Sequence, residues 1–372
     1  MILLTGAYRL FFPAAALFTG LAIPLWLMMF MGASDVMSAP YLWHQHEMLF
    51  GYLPAAIAGF LFTAIPNWTG RPPLGPVALA LLFTLWASAR VAMFVAPEAA
   101  WTHQLAVAFL PVVAGLALGN LILSQNSRNY IVAAVIFALG LAQAMFLWTD
   151  ADLGLTAGFA MAFVLMVHIG GRVTPAFSRN WLRQRKAPRV PAPFGRVDQV
   201  AITLTAATAL GWVFIGATPL VGMFAAATAV ALALRLSRWC GLSVLSEPLL
   251  FAQHAAYGWL VISMALLALH GLGEMATASQ LRHAIGAGAI GSMTVIVMLR
   301  AMLGHSGRPL VGSKLDVALL LCIHLGAAIR VMADWFGAPI GFIHAGGTFW
   351  ALGMILFAIR IIPIALTPRL QS

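Results

Sequence analysis

Twelve stretches of this chain are long and apolar enough to cross a bilayer, and no other feature narrows its possible folds so sharply. The hydrocarbon core of a membrane takes about 20 apolar residues per helix. The runs between charged or Pro/Gly punctuation fall at 10–31, 46–65, 75–95, 101–123, 130–149, 153–173, 199–215, 217–236, 248–269, 283–303, 315–334 and 340–362. Only 8% of the 372 residues are charged, whereas a water-soluble domain carries roughly a quarter. Lipid offers no hydrogen bonds to the backbone, so segments of this length must satisfy themselves as helices. The expectation is an all-α, polytopic membrane bundle of about twelve transmembrane helices. It forms a single transmembrane domain over 1–372, with no separate soluble domain and no cleavable leader. The first run reads as the first helix rather than a signal peptide.

The net charge of +10 suggests nucleic acid until the charges are located. With the N-terminus placed in the cytoplasm, 17 of the 20 lysines and arginines fall in inner segments, and Arg90, Arg282 and Arg330 are the other three. That asymmetry is the positive-inside signature of a membrane protein, so the lipid bilayer is the partner and nucleic acid is not. Most outer acids (Asp35, Glu98, Asp150, Asp152, Glu274) read as loop residues. The proline-rich basic stretch 174–198 reads as a cytoplasmic linker, chiefly a topology determinant and secondarily a contact for anionic headgroups. Cys240 and Cys322 match no metal or redox spacing and read as packing residues.

The two ends of the chain echo each other. His46 is followed by Gly51 and then by Gly70-Arg71-Pro72, and His283 by Gly288 and Gly307-Arg308-Pro309, at the same offsets. Arg90-Val91 and Arg330-Val331 come next, and then His103 and His344. The spacing implies that spans two to four and ten to twelve are copies in a parallel internal repeat, an N-terminal repeat in 1–123 and a C-terminal one in 248–372. The Gly-Arg-Pro turns read most simply as helix stops.

Ten histidines accompany this pattern. The expected topology puts His44, His46, His103, His270, His283 and His344 near the outer face. His168, His254 and His305 fall in the inner half, and His324 near the middle of its span. Ionisable groups inside a membrane are costly and mark functional sites, and imidazole is the commonest neutral ligand for haem iron, copper and zinc. A lone histidine at a membrane face is usually an interfacial polar residue, which accounts for His270, His305 and His324. His46, His283, His103 and His344 recur in both copies, and metal or haem ligation is the stronger reading there. His46 and His283 suit axial haem ligation, with His44, His103 and His344 as candidates for copper or a second haem ligand set. His168, His254 and His305 would make a further trigonal copper site. His44 and His46 lie about 200° apart on a helix and so cannot share one ion. Glu47 is expected to support His46, and Arg90 and Arg330 suit either propionates or local ion pairs such as Arg330 with Asp334.

Walker, dinucleotide and serine-elbow motifs are absent. Gly51, Ala55, Ala58, Gly59 and the run Gly286 to Gly291 read as close helix contacts, or as clearance for a flat macrocycle.

Several stretches resemble the NnrS family: Trp43-His44-Gln45-His46-Glu47-Met48-Leu49-Phe50-Gly51, Pro66-Asn67-Trp68-Thr69-Gly70-Arg71-Pro72, His168-Ile169-Gly170-Gly171-Arg172, Glu247-Pro248-Leu249-Leu250 to His254, and Gly304-His305-Ser306-Gly307-Arg308-Pro309. The resemblance spans nearly the whole chain. It implies a bacterial inner (cytoplasmic) membrane protein of twelve helices that contains haem b and copper, linked to denitrification and to nitric oxide and nitrosative stress. A looser likeness to the core subunit of haem–copper oxidases stops at the seventh span, which lacks the histidine that group uses.

The combined expectation is a haem- and copper-binding protein that gives resistance to nitric oxide by binding it or converting it. Nitric oxide is then the small-molecule ligand, served by an unidentified electron donor, and both termini are cytoplasmic. The alternatives are a secondary transporter or metal carrier with histidine-lined sites, and an assembly factor for denitrification enzymes.

Overall fold

A computed structural model describes residues 2–33, 37, 39–273 and 275–370; Asp35 and Glu274, expected in outer loops, lie outside the described residues. Among the described residues there are twelve helices long and apolar enough to span a membrane, and no strand. They are α1 (Ala7–Phe30), α2 (Pro40–Thr69), α3 (Pro76–Val95), α4 (Ala100–Leu123), α5 (Ser127–Trp148), α6 (Ala151–Gln184), α7 (Arg196–Ile215), α8 (Pro219–Ser237), α9 (Pro248–Gly273), α10 (Ala278–His305), α11 (Lys314–Phe336) and α12 (Ile340–Ala365). Each corresponds to one apolar run of the sequence, so the chain is a multi-pass, all-helical membrane protein.

Local chemistry explains the boundaries. Pro40, Pro76, Pro219 and Pro248 open their helices, where the missing N–H and the fixed φ cost nothing. Thr277 and Ser313 cap α10 and α11, with Gln280 and Asp316 reaching back to the cap N–H groups. The two Gly-Arg-Pro turns do act as stops: Gly70 and Gly307 take φ of +68° and +74°, a left-handed conformation that glycine adopts without a Cβ penalty. Their arginines turn inward to protein partners. Arg71 donates to Asn120 on α4 and Arg308 to Thr367 just past α12.

The expected linker over 174–198 is shorter than the sequence suggests, because α6 continues to Gln184 and α7 begins at Arg196. The cause is apolar burial. Leu182 packs with Val244 and Leu250, and Phe177 and Trp181 close over them. Pro175 inside α6 has no N–H for the Gly171 carbonyl, and Arg235 supplies that donor instead at 3.5 Å.

The chain forms two compact units. The first comprises Met1–Met161, Met298–Pro309 and Met354–Ser372. Within it α1 packs on α2, α2 on α4, α3 on α4, and α4 on α5. Arg9, 3% exposed, donates to the carbonyls of Ile364, Ala365 and Thr367, so a cation meets the unpaired carbonyl end of α12. The second unit comprises Ala162–Val297 and Leu310–Gly353, with α7 on α8, α8 on α9, α9 on α10, and α11 against both α9 and α10. Lipid gives no hydrophobic drive for association, so close approach and interhelical polar contacts matter more. Gly222 and Gly271 illustrate it: a Cβ on either would collide with the other helix. Thr208 and Thr228 share a hydrogen bond at 2.8 Å between α7 and α8.

Candidate functional site

In the first unit a buried polar quartet surrounds His46, which sits on α2 and is 1% exposed. Its Nδ1 lies 2.8 Å from Glu47 Oε1. Arg90 on α3 places Nη1 2.6 and 2.7 Å from the two oxygens of that carboxylate. A carboxylate paired with arginine only accepts, so His46 donates from Nδ1 and keeps a lone pair on Nε2. Gln143 on α5 occupies that lone pair, its amide Nε2 3.1 Å away. The rings of Phe50 and Phe146 flank the imidazole at 5.6 and 5.7 Å. An imidazole with Nδ1 tied to a carboxylate and Nε2 directed at a partner is the geometry that a hydrogen-bonded carboxylate imposes on metal-binding histidines.

Directly after His46 the helix is π-helical over Glu47–Tyr52, and directly after His283 it is π-helical over Ala284–Gly291. Both of the histidines that the sequence pairs thus adjoin a wide turn. Such turns cluster at functional positions because the inserted residue redirects side chains. Gly51 belongs to the first. A Cβ there would lie 2.6 Å from Arg90 Nη1 and 2.8 Å from Glu47 Oε2, so the glycine makes room for the ion pair. At Gly288 the space is filled by the Trp259 indole, 2.5 Å from a built Cβ. At Gly51 and Gly288 close packing, the first of the two expectations, is what the glycine provides, and protein side chains occupy the space beside it.

His283 lies in the second unit, where its Nδ1 is 2.8 Å from the Ser279 carbonyl. A ring nitrogen that close to a carbonyl must donate, which again leaves Nε2 as the lone-pair nitrogen. Arg330 pairs with Asp334 at 2.9 Å and donates to Ser279 Oγ at 2.7 Å. Both arginines of the repeat thus hold carboxylates of the chain itself.

The other candidate histidines divide by what their rings meet. His44 stacks on Trp26 of α1 at 4.1 Å and so faces a different neighbour from His46. His103 Nε2 approaches the Pro97 carbonyl at 2.8 Å, tying the start of α4 to the turn before it. His254 has Nδ1 2.9 Å from Leu250 O and Nε2 3.3 Å from Trp239 O, so carbonyls face both nitrogens. His305 ends α10 with its ring 5.6 Å from Tyr8, in the first unit, whereas His168 and His254 belong to the second. His168 and His344 each keep a buried Nε2 without a partner, the condition of an imidazole with a coordination position to offer. Among the described residues no three His, Cys, Asp or Glu side chains come together as a metal-holding group. The two cysteines are free thiols, and Cys240 packs on the Leu182 cluster.

Several other motif residues hold the scaffold. Glu247 accepts from the backbone of Leu249 and of Gly312, latching the start of α9 to the loop before α11. Gly171 leaves room for the Arg235 guanidinium, which donates to Asp198 at 2.8 Å and to Tyr257 at 2.9 Å.

Gln143 and the Trp259–His324 pair are two features that the sequence does not announce. The signal for Gln143 was a lone amide in the uncharged run 130–149. His324, expected as an interfacial polar residue, accepts from Trp259 Nε1 at 3.0 Å on Nδ1. That bond puts its proton on Nε2, which is buried and has no partner.

A search of curated proteins finds no relative that matches. The NnrS protein family matches residues 2–369, which takes in α1 to α12 and both π-helical turns. The chain belongs to the NnrS family.

Proposed function

We propose that this membrane protein serves resistance to nitric oxide stress through metals held by imidazoles, with haem b and copper as the metal centres. Membership of the NnrS family ties the chain to nitric oxide stress. The observation that carries the metal reading is the state of the two repeat-related rings. His46 and His283 each have Nδ1 committed to an oxygen of the chain, which makes Nε2 the nitrogen that carries the lone pair, and each adjoin a π-helical turn.

The donor chemistry suits iron or copper, both of which take neutral imidazole nitrogen. His46 and His283 are the proposed haem-iron ligands, each in its own unit. His168 and His344, with buried and unpartnered Nε2 atoms, are the better-placed copper candidates, followed by His44, His103, His254 and His305. When bound, such a metal supplies a coordination position and an electron for nitric oxide.

The chain's own contribution is to orient and desolvate. Glu47 fixes the tautomer of His46 and raises the basicity of Nε2, while Arg90 keeps that carboxylate paired in an apolar setting. Phe50 and Phe146 exclude water from the ring. The family resemblance supports a bacterial cytoplasmic membrane as the location, and the arginine and lysine asymmetry supports both termini lying inside.

The test is a reduced-minus-oxidised optical spectrum of purified protein, with iron and copper analysis on the same sample and nitric oxide added last. The expected result is a haem band that shifts with nitric oxide and is lost in His46→Ala and in His283→Ala. Full haem retention in both variants refutes the ligand assignment, and a wild-type protein without iron or copper refutes the metal reading altogether.

A further inference from the structure

Between α6 and α9 of the second unit, three polar side chains are fully buried and find no partner among the described residues. Thr174 and Ser178 on α6 and Gln253 on α9 are each 0% exposed. Thr174 Oγ1, Ser178 Oγ and both Nε2 and Oε1 of Gln253 are without a hydrogen bond. Such atoms are costly in an apolar span, and buried polar groups in native proteins are almost always bonded.

The packing sets these residues on facing surfaces. A Cβ built on Gly170 comes within 3.4 Å of Tyr257, and Leu182 packs with Leu250, so α6 and α9 meet at both points and run antiparallel. Thr174 follows Gly170 by four residues, and Ser178 precedes Leu182 by four. Gln253 lies three after Leu250 and four before Tyr257. Residues so spaced share a helix face, which turns all three side chains toward the seam between those contacts.

The hydroxyls are also turned away from their own helix. A buried serine or threonine in a helix commonly bonds the carbonyl four residues earlier, as Thr205, Thr228, Ser263, Ser292 and Thr294 of this unit do. Thr174 and Ser178 do not. Pro175 stands between them, and the Gly171 carbonyl that it leaves without a helical donor has Arg235 only at 3.5 Å. A proline break in a membrane helix is tolerated where neighbouring side chains and ordered water take over the freed backbone groups.

We infer that Thr174, Ser178 and Gln253 form a buried hydration site that bridges α6 to α9 beside the Pro175 break. The ligand must both donate and accept, because Gln253 Oε1 needs a donor, its Nε2 needs an acceptor, and the hydroxyls serve as either. A cation would face the amide N–H groups of Gln253, and an anion its carbonyl oxygen. Water meets both demands. One molecule makes about three hydrogen bonds to groups of this kind, and it joins polar atoms that lie just beyond direct reach. The site does not depend on the metal reading.

X-ray radiolysis of the full-length protein in detergent tests it, because a bound water split by the beam oxidises the side chains beside it. Tyr257 stands one turn from Gln253, and Met293 packs on Gly170, one turn from Thr174. Bulk solvent reaches neither, at 0% and 2% exposure, so they are the reporters, with buried Met354 and exposed Met275 as controls. Wild type is compared with Thr174→Val and with the double variant Ser178→Ala, Gln253→Leu by mass spectrometry of the oxidised residues. Expected is oxidation of Tyr257 and Met293 in wild type well above that of Met354. It should fall to the Met354 level in the double variant and drop in Thr174→Val, with Met275 unchanged throughout. Wild-type protein in which both reporters stay as unreactive as Met354 overturns the site, and so does undiminished oxidation in the variants. Protection of Met354 shows that a variant is folded. Thr174→Val, which keeps the shape of the side chain, carries the comparison where the double variant fails that check.

Discussion

Arg90 sets a single guanidinium nitrogen against both carboxylate oxygens of Glu47, at 2.6 and 2.7 Å, while the same carboxylate takes the Nδ1 proton of His46. Glu47 is fully buried and Arg90 is 7% exposed. Two opposite charges in an apolar span are tolerable only together, because either one alone keeps its desolvation cost and loses its compensation.

Arg90→Leu therefore isolates the Glu47 carboxylate and is expected to destabilise the protein by about 3–5 kcal/mol. Adding Glu47→Gln should recover much of that loss, since the two residues act as one unit. Thermal unfolding of the single and double variants in detergent reads the effect. Equal stability of Arg90→Leu and wild type would show that the pair is not held as the structure has it.

Gly51→Ala tests the same pair by crowding it. Its Cβ would sit 2.6 Å from Arg90 Nη1 and 2.8 Å from Glu47 Oε2, and overpacking of this kind costs about 1–3 kcal/mol. Gly258→Ala is the matched control, because a Cβ there meets nothing within 4 Å. Alanine should be neutral or stabilising by up to about 1 kcal/mol at that helical position. A control that loses as much stability as Gly51→Ala would remove the steric explanation.

In the second unit, Gly171→Ala would drive a methyl into the Arg235 guanidinium. Arg235 links Asp198, Tyr257 and the Val167 carbonyl, so displacement disturbs α6, α7 and α9 at once. The expected loss is about 1–3 kcal/mol, with a larger one, about 3–5 kcal/mol, for Arg235→Ala, which leaves Asp198 with Arg238 as its remaining cation. Limited proteolysis of the 185–195 loop should quicken in both variants. Resistance equal to wild type would argue that Arg235 is not the tie.

The Thr208–Thr228 bond makes a deliberately small prediction. Hydrogen bonds between membrane helices average about 0.6 kcal/mol, because the separated helices find other partners. Thr208→Val should shift stability by no more than about 1 kcal/mol, and a loss of several would mean that the hydroxyls hold more than each other.

Much of the architecture is legible in the residues. The twelve spans follow from hydropathy because a bilayer imposes one length on every apolar helix, independently of its neighbours. The stops at Gly70 and Gly307 and the caps at Thr277 and Ser313 are equally local, set by backbone conformation and by side chains within three residues. The matching offsets after His46 and His283 are legible too, since they lie in the order of residues itself. The end of α6 is not, because basic residues after Thr174 look like a linker until Val244 and Leu250 are known to cover Leu182.

The setting of each histidine belongs to the tertiary structure alone. Gln143 lies 97 residues from His46, and Trp259 lies 65 from His324. The wide turns at Glu47–Tyr52 and Ala284–Gly291 have no composition of their own. The sequence by itself determined the membrane as solvent, the number of spans and the recurrence of the histidines, because these depend on each segment's own contact with lipid. Only the packed structure decided which imidazole nitrogen is tied, which is directed at a donor and which is left open, because a ring's partners are set by whichever helix faces it across the bundle.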